Sequence, residues 1–193
     1  MKILAFTDIH ANPKYITILN EKIRIHKPDV VVCCGDISLF EHGIIPVIHW
    51  LKTIPLPVLL VHGNHETATT LKKLCGKNLI FLHKKLHTIN GITFTGWGGG
   101  GFAQVEPDFE QFVKRTSIPQ KTVLVTHTPP HNTNLDNLGK WGHVGCKSIT
   151  TFLKKNTLNL ALSGHLHENF GKKDKIGKTL LANPGPKGNV YSV

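Results

Sequence analysis

The architecture of this chain is set by the stretch Lys2-Ile-Leu-Ala-Phe-Thr-Asp-Ile-His-Ala-Asn-Pro13. Its apolar run is short, continuous and closed by Thr7 and Asp8, which reads as a buried strand. Asn12 then offers a side-chain oxygen to cap a helix, and Pro13 suits that helix's first turn, so YITILNEKIRIH (Tyr15 to His26) is expected to continue it. DVVVCCGD (Asp29 to Asp36) predicts a second strand and PVLLVHGN (Pro57 to Asn64) a third, with GIIPVIHWLK (Gly43 to Lys52) between them as a helix interrupted by Pro46. This alternation is the pattern of a parallel α/β sheet.

Farther along, a helix is expected near Glu66 to Leu74. LIFLH (79–83), LHTING (86–91) and ITFTGWG (92–98) follow as short extended pieces, with Asn90-Gly91 marking a hairpin. A helix around Glu106 to Lys114 precedes the strand TVLVTH (122–127), and another from about Val144 to Lys154 precedes LNLALSGHLH (158–167). The segments KIGKTLLANPGP and NVYSV read as closing strands, with Pro184 and Pro186 shaping a turn. Neither a repeat nor a dividing linker is present, so residues 1–193 are expected to form one domain without a cap.

At 193 residues the chain can bury roughly 70% of its unfolded surface and needs no external staple. Cys33 and Cys34 are adjacent, while Cys75 and Cys146 stand alone, a spacing that fits neither a zinc ribbon nor a secreted disulfide framework. Cys33 and Cys34 are expected to be inert core residues. The opening segment lacks the pattern of a signal peptide and no run reaches membrane-spanning length. These features make the cytoplasm the expected location.

The net charge of +11 comes from lysines scattered in pairs, with arginine nearly absent and no interleaved aromatic residues. That distribution favours a solvated cationic surface over a nucleic-acid groove and would attract anionic substrates.

Polar residues recur where the predicted strands end: Asp8 and His10, Asp36, Asn64 and His65, His127, and His165 and His167. Open α/β sheets bind ligands beyond the carboxyl ends of their strands, so these groups are placed to converge. If the segments remain extended, the i, i+2 pairs Asp8/His10 and His165/His167 each present two donors on one face. Oxygen and imidazole donors without thiolate suit manganese, iron, zinc, nickel or cobalt. Seven of these groups, all but His65, exceed one catalytic ion but suffice for two sharing a carboxylate.

In order, DIH, GDIS, GNHE, TH and GHLH resemble the five blocks of the calcineurin-like metallophosphoesterase superfamily, from Asp8 to His167. THTPPH, GHVGCKSI and the late NPGP are similar to the short cap-less prokaryotic phosphoesterases and, more distantly, to cyclic nucleotide phosphodiesterases with this domain. The resemblance implies a four-layer αββα sandwich of two mixed sheets flanked by helices. It also implies one metal on Asp8, His10, Asp36 and His167 and a second on Asp36, Asn64, His127 and His165, with manganese the favoured ion. Water made acidic by the pair would attack phosphorus in line, and His65 would face the phosphate and assist the leaving group.

The expected activity is a dinuclear phosphoesterase acting on a small phosphodiester, such as a nucleotide, with Asn64, His65 and His143 offered to substrate. A nuclease with the same site is the alternative within the enzyme class, and a non-catalytic metal-binding protein-interaction scaffold the alternative outside it. The oligomeric state is left open.

The remaining features carry plainer expectations. Glu66 would cap the following helix, and Gly96 to Gly101 would form a flexible loop tip or let backbone approach substrate. The amides after Gly142 to Gly145 could receive a phosphate oxygen or simply start a helix. His62 would be a buried, satisfied imidazole, and His26, His42, His49, His83, His87 and His131 would serve surface or packing roles.

Overall fold

Neighbouring residues of the first strand face two different cores. In the computed structural model, which describes residues 1–193, the chain runs β1 (Lys2–Phe6), α1 (Pro13–His26), β2 (Val30–Cys33), α2 (Ile44–Thr53), β3 (Val58–Leu60), α3 (Ala68–Leu74), β4 (Leu79–Phe81), β5 (Leu86–Ile89) and β6 (Ile92–Trp97). It continues through α4 (Pro107–Arg115), β7 (Thr122–Thr126), α5 (Lys147–Lys155), β8 (Leu160–Leu162), β9 (Lys173–Ile176), β10 (Thr179–Ala182) and β11 (Asn189–Ser192). One sheet has the order β11-β1-β2-β3-β4 and the other β5-β6-β7-β8-β10-β9. Antiparallel pairing is confined to β11, β5 and β9 at the margins, and the interior pairs are parallel.

Leu4 and Phe6 pack with Leu19, Ile48, Leu51 and Leu71, on the side covered by α1, α2 and α3. Ile3 and Ala5 join Val32, Val61, Phe94, Val125 and Leu162 between the two sheets. Leu124, Ala161 and Leu181 meet Phe109 of α4 and Phe152 of α5 on the far side. The period-2 strand pattern thus feeds three apolar seams, which is the expected four-layer αββα sandwich. No helix is long and apolar enough to cross a membrane.

Local chemistry sets the element ends. Asn12 Oδ1 accepts from Lys14 N at 3.0 Å and Pro13 opens α1. Asn90 (φ 47°) and Gly91 (φ 78°) make the left-handed pair that a two-residue hairpin requires. Three expectations need correction. Pro46 does not interrupt α2, because it lies in the first turn, where its missing N–H would have had no helical partner. Glu66 caps nothing: α3 begins at Ala68, with Thr67 Oγ1 accepting from Thr70 N at 3.1 Å. Finally, α5 starts at Lys147 rather than Val144, since Gly145 N is drawn to Asp136 Oδ2 (2.9 Å) and Cys146 N to Pro129 O (2.9 Å).

Candidate metal centre

The loops leaving β1, β2, β3, β7 and β8 meet beyond the strand ends, but not as extended tails. Asp8, His10, Asp36 and His165 all have positive φ (54°, 45°, 51° and 71°), and His167 opens a short 3-10 turn, His167–Asn169. The i, i+2 expectation therefore fails: a strand face does not align Asp8 with His10 or His165 with His167. Left-handed backbone at such residues is costly and persists only when the surroundings impose it. Here they do. His10 N donates to Asp36 O (3.1 Å) and Ala11 N to Ile37 O (2.8 Å), zipping the first two loops together. His165 N donates to Asp8 Oδ2 (3.0 Å), and His65 N to Asp36 Oδ1 (3.0 Å). Thr7 N, beside Asp8, donates to the carbonyl of Gly185 (3.2 Å), so the NPGP turn buttresses the first loop. Leu166 is buried and anchors its segment.

Each carboxylate spends one oxygen on the backbone and aims the other inward. Asp8 Oδ1 lies 3.7 Å from His167 Nε2, and Asp36 Oδ2 lies 3.5 Å from His127 Nε2 and 3.8 Å from His65 Nε2. The histidines are oriented in the same way. His127 Nδ1 is 2.8 Å from the carbonyl of Cys34 and His10 Nδ1 is 3.1 Å from that of Ser38. A carbonyl cannot donate, so these Nδ1 atoms carry the proton, and both Nε2 atoms present lone pairs when the rings are neutral.

Those nitrogens face an amide oxygen and another imidazole. His127 Nε2 is 3.0 Å from Asn64 Oδ1, and His10 Nε2 is 3.2 Å from His167 Nε2. Asp8 Oδ1 and His165 Nε2 are buried with no hydrogen-bond partner at all. Inward-facing acceptors lacking donors fit cations, and second carbonyl bonds that fix imidazole orientation are the usual outer support of metal ligands. Ligand atoms lie within 4.8 Å of one another in Asp8–His10–His167, in Asp8–Asp36–His127 and in His10–Asp36–His65. Asn64 adjoins this constellation through His127, as does His165, whose ring is 5.1 Å from that of His127.

In the metal-free protein a proton on the His127 ring balances this cluster. Burial would raise the Asp36 pKa, but His127 and the His65 amide overcome it and hold the carboxyl down at about 2. Burial would likewise depress His127, yet Asp36 reverses the effect and lifts the imidazole to about 9. His165 has no carboxylate bonded to its ring, and burial, reinforced by His127, lowers it to about 4. The Asp8 carboxylate, 3.7 Å from its Nε2, raises His167. Burial lowers His65, against the pull of Asp36. The Nδ1 atom of His65 accepts from Phe40 N at 3.2 Å, so the neutral ring carries its proton on Nε2, the nitrogen facing Asp36.

His143, offered to substrate, binds the fully buried Asp136 Oδ1 through its Nδ1 at 2.7 Å. Three other expectations change. The amides at Gly145, Cys146 and Lys147 are bonded to Asp136, Pro129 and Gln104, leaving none of them for a phosphate oxygen. Gly98 to Gly101 is not a free loop tip. Thr128 Oγ1 ties down the carbonyls of Gly99 (3.1 Å) and Gly101 (3.2 Å), and a Cβ on Gly101 would lie 3.9 Å from Asn64 Cβ. His62 is half-buried but not satisfied, because its Nδ1 has no partner beneath these glycines.

Sequence reasoning also missed what Glu66 does. Its buried carboxylate accepts from Ser38 N (2.8 Å), Ser38 Oγ (2.7 Å) and Gly63 N (3.1 Å), clamping the Asp36 loop to the Asn64 loop. The available signal was Thr67, a better cap residue that leaves the preceding acid without a helical task. Packing in this clamp is tight: a Cβ on Gly63 would stand 2.6 Å from both Cγ and N of Asp36. Gly63→Ala is therefore expected to destabilise the metal-free protein by about 1–3 kcal/mol in urea titration with chelator present. An unchanged midpoint would show that the two loops yield freely.

Such a fold, with these side chains at its strand ends, is that of a metallophosphoesterase, and comparison with known proteins agrees. Residues 1–169 match the model of the calcineurin-like phosphoesterase family, to which this chain belongs. It is 33% identical over 203 aligned positions to the uncharacterized protein MJ1162 of Methanocaldococcus jannaschii, covering 97% of this chain and 89% of that one. Among solved structures, TT1561 of Thermus thermophilus shares the fold with a TM-score of 0.72 at 14% identity, over 95% of this chain and 88% of its own. An archaeal phosphodiesterase does so with a TM-score of 0.54 at 18% identity, over 96% and 84%.

Proposed function

We propose that the chain is a metal-dependent phosphodiesterase with a two-cation centre. Asp8, His10, Asp36 and His167 would hold one ion, and Asp36, Asn64, His127 and His165 the other. The observation that carries this reading is the gathering of Asp8, His10, Asp36, His127 and His167 into groups whose ligand atoms lie within 4.8 Å of one another, with Asp8 Oδ1 buried and unpartnered. When bound, a pair of divalent cations supplies Lewis acidity and lowers the pKa of water from about 15.7 towards about 7. The protein supplies orientation. The carbonyls of Cys34 and Ser38 fix the rings of His127 and His10 with their Nε2 atoms inward. Glu66 keeps the Asp36 and Asn64 loops in register. His65, with its proton on Nε2, donates to the phosphoryl group or the departing oxygen.

Preference for a diester draws on the resemblance to phosphodiesterases. Bis(p-nitrophenyl) phosphate and p-nitrophenyl phosphate, assayed with Mn²⁺ and with chelator, test the reading together. Expected is faster turnover of the diester, abolished by chelation and restored by Mn²⁺. Stoichiometric metal without hydrolysis of either ester would favour a binding scaffold instead.

A further inference from the structure

Two phenylalanine rings stand in solvent against imidazoles of the centre. Phe40 is 69% exposed and its ring centroid lies 4.1 Å from that of His65. Phe102 is 64% exposed, and its ring meets His165 edge-to-face at 4.7 Å. Burying a phenylalanine is ordinarily favourable, and large exposed apolar groups gathered at one site mark a binding surface.

The backbone holds both rings there at a cost. Leu39 and His42 exchange hydrogen bonds (3.2 and 3.0 Å) around a two-residue turn, which forces Phe40 (φ 50°) and Glu41 (φ 64°) into the left-handed region. A turn needed only to reverse the chain would use Asn-Gly, which adopts this conformation with little strain. This turn is instead bolted to the centre. Phe40 N donates to His65 Nδ1, Glu41 N to His65 O (3.0 Å), and Thr67 N to Glu41 Oε1 (3.1 Å). Phe102 follows the glycines tied by Thr128, the neighbour of His127. Its position is thus also set by the metal-centre loops rather than by a core.

We infer that Phe40 and Phe102 are stacking platforms that select phosphoesters bearing a planar heteroaromatic ring, a nucleoside phosphoester being the chemical class that fits. The inference rests on the proposed phosphoesterase centre, which would take the phosphoryl group, and adds what grips the rest of the molecule. Each exposed ring offers a flat face, which matches another aromatic ring better than a flexible alkyl chain, and base–aromatic stacking tolerates any base. The excess of lysine favours the anionic ligand at longer range.

Calorimetry on the Mn²⁺-loaded protein with AMP and ribose 5-phosphate, both phosphomonoesters of the same sugar, isolates the ring. AMP is expected to bind on the order of 10-fold or more tighter. Phe40→Asn and Phe102→Ala are each expected to reduce that ratio, and the double variant to bring it close to one. Phe40→Asn supplies a readout that a merely structural ring would not give. Asparagine accepts the left-handed turn, so the variant is expected to unfold at an equal or higher temperature while losing discrimination. Ribose 5-phosphate binding as tightly as AMP to the parent protein, or an unchanged ratio in the double variant, overturns the stacking inference alone. Failure of both phosphates to bind the metal-loaded protein overturns the centre and the inference together.

Discussion

Asp36→Asn is expected to empty both halves of the centre and to lower diester turnover on the order of 10³-fold or more. The substitution preserves size, and its amide oxygen can still accept from His65 N as Asp36 Oδ1 does at 3.0 Å. What it removes is the inward, anionic Oδ2 between His127 and His65, the group that would be shared by two cations. Loss of a single preorganised electrostatic partner in an active site costs about 10²–10³ in rate, and a bridging ligand serves two. The same change strips His127 of the carboxylate that does most to raise its pKa, leaving Asp8 and the Cys34 carbonyl alone against burial. Metal content after gel filtration, measured beside kcat, checks the expectation. Two tightly retained ions in the variant would mean that Asp36 is not the bridge.

His65→Ala should behave in the opposite way with respect to metal. No backbone carbonyl fixes this ring with an Nε2 lone pair inward. Instead Phe40 N occupies Nδ1 and leaves a proton on Nε2, which suits a donor rather than a ligand. Metal content is therefore expected to stay at the parent level while kcat falls about 10²- to 10⁴-fold. If the proton goes to the departing oxygen, the defect will be larger for an alkyl alcohol than for p-nitrophenolate, which leaves readily without help. Parent-like turnover would remove His65 from the chemistry. A loss of metal equal to the loss of rate would instead place it among the ligands, as its grouping with His10 and Asp36 permits.

Much of this molecule is readable along the chain because strand periodicity is a local property. The alternation of Ile3 and Ala5 with Leu4 and Phe6 already contains two of the three apolar seams. Polar groups closing successive apolar runs mark the crevice, and the ordered blocks from Asp8 to His167 name its chemistry. The site was less legible in its geometry than in its inventory. Strand geometry cannot be extrapolated past Phe6 or Leu162, because the loops beyond them take left-handed turns at Asp8, His10 and His165.

Those turns are imposed by hydrogen bonds such as His165 N to Asp8 Oδ2, which joins residues 157 positions apart. The clamp at Glu66, the unpartnered Nδ1 of His62 and the exposed ring of Phe40 have the same origin. Which residues end the strands, and hence which donors are available, is written in the order of amino acids alone. Where each lone pair points is not, since that depends on carbonyls and amides supplied by distant loops once the sheets have packed.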